Sequence, residues 1–187
     1  MLLIMSERHP SAGFLRRHLG TFKAVAVFLV TLIVFFWMLN NDWILRTILD
    51  PFTGAVAQVT VWLFRAAGQD ASAMGKTVTV NGASLSIATG CNGVEAMALY
   101  FAAVLALPAL WTRRLLGIAI GVIGIFLINQ IRVAGLFLVA IYRPEFLPQA
   151  HHYAGQTFVI VMGMALWFFW AEQYAGFLNP QSAAAPR

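Results

Sequence analysis

The sequence predicts an all-α polytopic membrane protein with about four transmembrane helices, an interfacial or bundle-packed helix and a short extracytoplasmic β-hairpin. Of its 187 residues, 60% are hydrophobic and only 10% are charged, which is far from the balance of soluble domains. Several apolar runs also reach the ~20 residues that cross a bilayer as a helix. One short stretch alternates in period two, as a hairpin does. We therefore expect a single membrane-embedded domain over residues 1–187.

Charge and cysteine content exclude several classes of function. The net charge of +5 comes from 12 basic and 7 acidic residues, too few for the dense basic surface of a nucleic-acid-binding protein. The chain has one cysteine, Cys91, so an intrachain disulfide and a four-cysteine zinc site are both excluded. A zinc site built on Cys91, His151 and His152 lacks a clear fourth ligand. No nucleic-acid partner, metal or cofactor is expected.

The first span is expected at residues 22–39, directly after a basic segment. Asn40, Asn41 and Asp42 follow the apolar run in place of a small-residue cleavage site, which is typical of a retained signal anchor. Basic flanks prefer the cytoplasm, so residues 1–20 are expected to be a cytoplasmic N-terminal segment.

The next segment, residues 43–68, is apolar but interrupted by polar residues and a proline. The interruptions are Arg46, Asp50, Pro51, Gln58 and Arg65. We expect this segment to lie in the interface or to pack on the bundle. A topology in which it crosses the membrane stays open.

The hairpin is expected within residues 76–89, where apolar and polar residues alternate on both sides of Asn81-Gly82. Asn-Gly is the strongest short-range hairpin signal. Three further spans are expected at about residues 94–111, 115–141 and 155–171.

Orientation follows from the basic pair Arg113-Arg114, since short loops rich in arginine prefer the cytoplasm. Placing this loop inside, with residues 1–20 and a cytoplasmic tail at 175–187, requires residues 43–68 not to cross. The hairpin, Cys91 and the loop at 142–153 then face outside. In a bacterial inner membrane this is the periplasmic side.

Cys91 is the first candidate for chemistry. It lies where the hairpin ends and a helix begins, near unpaired backbone N–H groups and the positive helix end, and both features favour a thiolate. The alternative is an inert cysteine that packs as a small buried hydrophobe.

Arg132 is the second candidate, because an arginine inside a span costs roughly 2.5–3.5 kcal/mol on insertion scales. At ~1.5 Å per residue it lies about 14 Å below the outer end of its helix, close enough to snorkel outward. Asn129 is on the same helix face. The structural alternative is an ion pair between Arg132 and Glu95.

His151 and His152 complete the set, since histidine suits proton transfer near neutrality. Interfacial polarity is the alternative for either histidine. Under the expected topology Cys91, Arg132 and His151 reach the same face of the bundle, which supplies the nucleophile, cation and base that acyl transfer by a cysteine needs.

At these residues the chain resembles the exosortase and archaeosortase family over roughly residues 51–170. These multispan enzymes carry a cysteine, an arginine and a histidine in that chain order. The motifs here are Gly90-Cys91-Asn92-Gly93-Val94-Glu95-Ala96, Asn129-Gln130-Ile131-Arg132 and Ala150-His151-His152-Tyr153-Ala154-Gly155-Gln156. The first of them and the Pro51-Phe52-Thr53 entry look most like the exosortase H subgroup, whereas many members show Cys-Ser-Gly.

The resemblance implies that Cys91 is the nucleophile, Arg132 the stabiliser of the thiolate or oxyanion, and His151 the acid and base. His151 is preferred because it precedes Gly155 by four residues. Alternative or supporting residues are His152, Asn129, Glu95 and Asn92.

The implied activity is that of a cysteine peptidase or transpeptidase that removes C-terminal sorting signals from secreted proteins. The signal comprises a short motif, an apolar helix and a basic tail, and for the H subgroup it resembles Ile-Pro-Thr-Leu-x-x-Trp-Trp. An unidentified acceptor would take the acyl group. A small-residue face at Gly117, Gly121 and Gly124 could pack against the substrate helix or against another helix of the chain.

Two rival functions stay open. A non-enzymatic assembly subunit or small transporter would pair Arg132 with Glu95 and leave Cys91 inert. A thiol-dependent acyl or lipid transferase would use the same thiol on another substrate.

Overall fold

The computed structural model describes residues 10–88 and 90–175, with the side chains of residues 10–18 outside that description. The described residues are mostly helical and include a small antiparallel sheet, which confirms the predicted fold class. The ends of the predicted cytoplasmic segments, residues 1–9 and 176–187, lie outside the described residues. The element order is α1 Pro10–Leu39, α2 Asp42–Ala66, β1 Ala71–Met74, β2 Thr77–Val80, β3 Ala83–Ser86, α3 Val94–Ala106, α4 Trp111–Tyr142 and α5 Pro144–Ala175.

Four helical segments within the described ranges are long and apolar enough to cross a membrane. They are Leu19–Leu39, Asp42–Ala66, Trp111–Tyr142 and Pro144–Ala175. The first lies within α1, and the others are α2, α4 and α5. Their number agrees with the prediction, but one member differs.

The helix predicted over residues 94–111 is shorter in the structure, because α3 has only 13 residues. At 1.5 Å per residue it is about 20 Å long, so the expected topology needs the non-helical residues 107–110 as well as α3 to cross a ~30 Å hydrocarbon core. The helix ends because Leu107 is extended, at φ −76° and ψ 139°, as expected for a residue before proline. Residues 112–114, which the sequence predicted as a basic loop, instead lie in the first turn of α4.

Residues 42–66 form one continuous helical segment, α2, as the predicted interfacial or bundle-packed helix requires. Its start includes a π-helical turn at Leu45–Leu49, and Pro51 stands in the first turn of the α-helix that follows, where its missing N–H costs nothing. Phe52 contacts Phe126 and Phe64 contacts Phe137, at ring-centroid distances of 6.3 and 5.6 Å. Phe126 is at the middle of α4 and Phe137 is nearer its C-terminus, so α2 packs beside α4 from its middle onward. This agrees with a bundle-packed helix.

The predicted hairpin is confirmed, and it belongs to a three-stranded sheet in the order β1-β2-β3. Asn81 and Gly82 have φ values of +48° and +84°, the left-handed pair that a two-residue hairpin turn requires. Strand β1, Ala-Ser-Ala-Met, was not predicted because it lacks β-branched and aromatic residues.

Two apolar clusters form the core. The first joins α2, the buried face of the sheet and the C-terminal half of α4, and it includes Cys91. The second joins α3, α4 and α5 around the fully buried Trp170.

The glycine face of α4 is covered by the chain's own helices. A Cβ at Gly117 would lie 2.6 Å from Trp170, one at Gly121 2.4 Å from Tyr100, and one at Gly124 2.5 Å from Leu166. The option that this face receives a substrate helix is therefore wrong, because α3 and α5 already occupy it.

Candidate active site

Cys91 lies in the short loop between β3 and α3, with only 8% of its surface exposed. Its N–H donates to the carbonyl of Ala88 at 2.9 Å. Gly90 and Gly93 on either side have φ values of +92° and +85°, which favour glycine over residues with a Cβ. The loop thus turns sharply at both flanks and holds the sulfur at the start of α3.

Asn92 fixes this loop to its neighbours. Its side-chain oxygen accepts from the N–H of Val94 at 3.1 Å, and its amide donates to Thr53 Oγ1 at 3.0 Å. The side chain is 1% exposed and points away from solvent. Asn92 therefore links the cysteine loop to α2.

Two side chains of α4 bind the loop from the other side. Arg132 Nη1 donates to the carbonyl of Gly90 at 3.2 Å, and Arg132 Nη2 lies 3.8 Å from Cys91 Sγ. Asn129 Nδ2 donates to the carbonyl of Cys91 at 3.0 Å. Arg132 follows Trp111 by 21 residues, about 31 Å along the helix, so a bilayer that begins at Trp111 ends near the guanidinium.

His151 provides the imidazole. It lies in a π-helical turn of α5, Ala150–Gly155, with Nε2 at 3.3 Å and Nδ1 at 3.8 Å from Cys91 Sγ. π-Helical turns recur at functional sites. His152 is exposed, and its ring meets that of His151 edge-on at a centroid distance of 5.1 Å. Of the two histidines, His151 makes the described contact with the sulfur.

Glu95 does not play the role expected in the structural alternative. Within the described residues, Arg132 and Glu95 form no ion pair, and the two side chains instead line the same cavity of about 330 Å³ beside α1. The guanidinium is directed to the cysteine loop, where the carbonyl oxygen of Gly90 accepts a hydrogen bond from it. The proposed Arg132–Glu95 pair is therefore wrong.

Burial raises the pKa of the Cys91 thiol above its usual value, the positive charge of Arg132 opposes this shift, and the negative charge of Glu95 adds to it. Burial thus opposes the thiolate that the position of Cys91 favours, and the charge of Arg132 offsets part of that effect. The N–H of Val94, in the first turn of α3, already donates to the Asn92 side chain. Nucleophilic attack then needs a base, and His151 is in contact.

A cavity of about 300 Å³ opens onto the sulfur and the imidazole. Its walls are β3 on one side, the start of α5 on the other, and α4 below. Its lining includes Leu85, Ser86, Leu136, Phe137, Leu147 and His151.

Comparison with known proteins gives one match. The family model of transmembrane exosortases (Exosortase_EpsH) matches residues 12–170. The chain belongs to the transmembrane exosortase family. The searches of curated proteins and of solved structures found no match.

In this exosortase the match confirms the resemblance drawn from the three motifs, and it extends that resemblance through α1. Family membership makes the chain a membrane-embedded sorting transpeptidase in general terms. The specific roles of Cys91, Arg132 and His151 stay predictions, and the structure places the three side chains in contact.

Sequence reasoning used Gly155 of the exosortase only to choose between the histidines and missed its role in the site. A Cβ at Gly155 would lie 3.0 Å from Arg132 Nε and 3.1 Å from the carbonyl oxygen of Ala150. A glycine one turn after the histidine was the available signal. Because Gly155 has no side chain, the guanidinium of Arg132 can lie directly against the backbone of α5.

Proposed function

We propose that this exosortase cleaves the C-terminal sorting signals of secreted proteins through an acyl-enzyme on Cys91 and transfers the released protein to an acceptor. The observation that carries the proposal is the contact of Cys91 Sγ with His151 Nε2 at 3.3 Å and with Arg132 Nη2 at 3.8 Å. A nucleophile, a base and a fixed positive charge are the groups that cysteine acyl transfer uses.

In the proposed first half-reaction, His151 takes the proton of Cys91 as the sulfur attacks the scissile carbonyl carbon. The developing oxyanion needs a donor, and the N–H of Cys91 already donates to Ala88. The Arg132 guanidinium is then the group that stabilises the oxyanion. Collapse breaks the C–N bond, and His151 returns the proton to the leaving amine, which departs with the apolar helix and basic tail.

In the second half-reaction, an acceptor nucleophile replaces the amine. His151 takes its proton as it attacks the thioester, and Cys91 leaves as the thiolate and is reprotonated. Water in place of the acceptor would give hydrolysis with the same residues.

The proposed location is the bacterial inner membrane with the site on the periplasmic side. The contacts Arg113 Nη1 to the Tyr174 carbonyl, at 2.9 Å, and Trp170 Nε1 to the Arg113 carbonyl, at 3.0 Å, support this orientation. They join the basic first turn of α4 to the end of α5, at the opposite end of α4 from Arg132. The positive-inside rule places that basic end in the cytoplasm.

The test is tail release in cells that make the full chain and a secreted reporter carrying an Ile-Pro-Thr-Leu-x-x-Trp-Trp signal, an apolar helix and a basic tail. Cys91→Ala is expected to abolish release, and His151→Gln to reduce it by a factor of about 100 or more, as loss of a general base does. His152→Gln is the matched comparison, since its ring touches His151 but makes no described contact with the sulfur, and it is expected to retain most activity.

A mass spectrum of the enzyme trapped during turnover would show the reporter acyl group on Cys91. Normal tail release by Cys91→Ala would refute the proposal. An adduct consisting of a lipid acyl chain would instead favour the rival acyl transferase.

A further inference from the structure

Strand β3 is the edge of the sheet that borders the catalytic cavity. Among the described residues, the sheet order β1-β2-β3 leaves one side of β3 without a strand. The side chains of Leu85 and Ser86 point to opposite faces of the sheet, because they are neighbours on one strand. Both line the cavity of Cys91 and His151, as does Ile87, which follows them. The cavity therefore borders the C-terminal end of β3, where the open edge of the strand meets the cysteine loop.

The register shows which backbone groups of β3 face its open edge, of which Ser86 borders the cavity. The N–H of Ile87 donates to the carbonyl of Lys76, at 2.9 Å, and therefore points toward β2. Hydrogen-bonded and non-bonded pairs alternate along an antiparallel ladder. Ser86, opposite Thr77, and Ser84, opposite Thr79, are then in non-bonded pairs. Their N–H and C=O groups point away from the sheet, into the open edge.

The opposite edge of the sheet differs. There the carbonyl of Ala71 on β1 accepts from Arg65 Nε at 2.7 Å, and so α2 occupies part of that edge. The edge next to the sulfur faces a space whose far wall is Leu147, Pro148 and His151. An exposed strand edge is a template that pairs with an added extended segment.

We propose that the substrate binds as an additional strand along β3, with its backbone paired to Ser84 and Ser86 and its scissile carbonyl delivered to Cys91. This rests on the proposed function, because the segment that binds is the peptide that the cysteine attacks. The floor of the cavity beside β3 is apolar, with Val133, Leu136 and Phe137 buried beneath it. The cavity therefore accommodates an extended peptide with an apolar side chain beside the scissile bond. The other residues of the peptide are recognised largely through their backbone groups.

The first experiment measures binding without turnover. The probe is acetyl-Ala-Val-leucinal, which adds to Cys91: the S–C bond forms, the thiol proton goes to the aldehyde oxygen, and nothing leaves. Protection of Cys91 from alkylation in the full-length protein reports occupancy. Two analogues carry one N-methyl group, on the alanine or on the valine amide.

Adjacent amides of a strand point in opposite directions, so only one of them can face β3. One analogue is expected to protect Cys91 at least ~10-fold less well, because its N-methyl group removes a backbone hydrogen bond to β3 and keeps the peptide away from the strand. The other analogue is expected to protect like the parent within about twofold. Equal protection by both analogues, or equal loss in both, would overturn the proposal.

The second experiment changes the enzyme. Ser86→Pro removes an N–H that faces the cavity, at an edge position where proline is tolerated. The matched control is Ala73→Pro, which by the same alternation removes an N–H at the opposite edge of the sheet. Ser86→Pro is expected to lower protection by the parent aldehyde and reporter cleavage by ~10-fold or more, while the alkylation rate without peptide stays unchanged. Ala73→Pro is expected to change neither protection nor cleavage.

The two experiments separate the inference from the function on which it rests. If wild-type enzyme fails to cleave the reporter but the N-methyl analogues differ as expected, the edge-strand site holds and the proposed sorting substrate is wrong. If the reporter is cleaved and Ser86→Pro cleaves it like Ala73→Pro, the edge-strand proposal is wrong and the proposed function stands.

Discussion

Arg132 meets the cysteine loop at two points, a carbonyl and the sulfur, and this double contact sets the electrostatics of the site. The carbonyl of Gly90 compensates part of the buried charge, which lowers the cost of burying an arginine that is only 7% exposed. The remaining positive charge acts on Cys91 and opposes the effect of burial on the thiol. Arg132 therefore binds the cysteine loop and favours the thiolate form of Cys91.

Replacing Arg132 should change how the reactivity of Cys91 depends on pH. Thiolate is the reactive form, and the Arg132 charge lowers the pKa of a thiol that burial has raised. In Arg132→Gln the pKa of Cys91 is expected to rise further. The alkylation rate at neutral pH then falls, and the midpoint of its pH profile moves to higher pH.

The measurement is the rate of Cys91 alkylation by iodoacetamide as a function of pH. Arg143→Gln is the matched control, because it removes an exposed guanidinium from the end of the same helix. It is expected to leave the midpoint unchanged. A profile that moves to lower pH in Arg132→Gln would contradict this account.

Among the elements, α3 and α4 pack closely where Gly121 of α4 leaves room for the ring of Tyr100 on α3. Tyr100 packs directly on Gly121. Without water to drive helices together, close packing at small residues stabilises helix pairs in membranes. Gly121→Ala places a methyl group inside the ring's present position and is expected to destabilise the protein by about 1–3 kcal/mol, as overpacking does.

The change is measured as a shift in the midpoint of unfolding in a denaturing detergent. Gly135→Ala on the same helix is the matched control, because a Cβ there meets no atom within 4 Å. Removing a helical glycine without a clash is expected to be neutral or to stabilise by up to about 1 kcal/mol. Equal midpoints in the two variants would show that the crossing adapts without cost.

The elements also show where prediction from sequence succeeded and failed. The hairpin was predicted because Asn81-Gly82 has a local chemical signature, and Arg132 was singled out because a charge in a span is costly. β1 was missed because only its pairing with β2 makes it a strand. The cavity beside β3 could not be predicted, since its walls come from segments far apart in the chain and depend on packing.

At the scale of the whole molecule, the basic pair Arg113-Arg114 and the candidate active site lie at opposite ends of α4. Arg114 Nη2 donates to the carbonyl of Leu107, at 2.9 Å, and the guanidinium lies over the ring of Trp111, so the first turn of α4 is tied to the chain that precedes it. The site and the sheet surround the other end. The basic residues that indicate orientation therefore lie at one end of α4, and the candidate active-site residues lie at the other.

This arrangement predicts the side on which each region is accessible. In a Cys91→Ser background, single cysteines replace Asn40, Ser72 or Thr112, which lie after α1, on the sheet and in the basic first turn of α4. A membrane-impermeant maleimide is expected to label the first two in intact spheroplasts, and Thr112→Cys only after permeabilisation, because arginine-rich loops stay inside. Asn40 and Ser72 flank α2, so labelling both from outside means that α2 does not cross. Opposite labelling of this pair would show that α2 spans the bilayer, and labelling of Thr112→Cys from outside would invert the proposed orientation of the site.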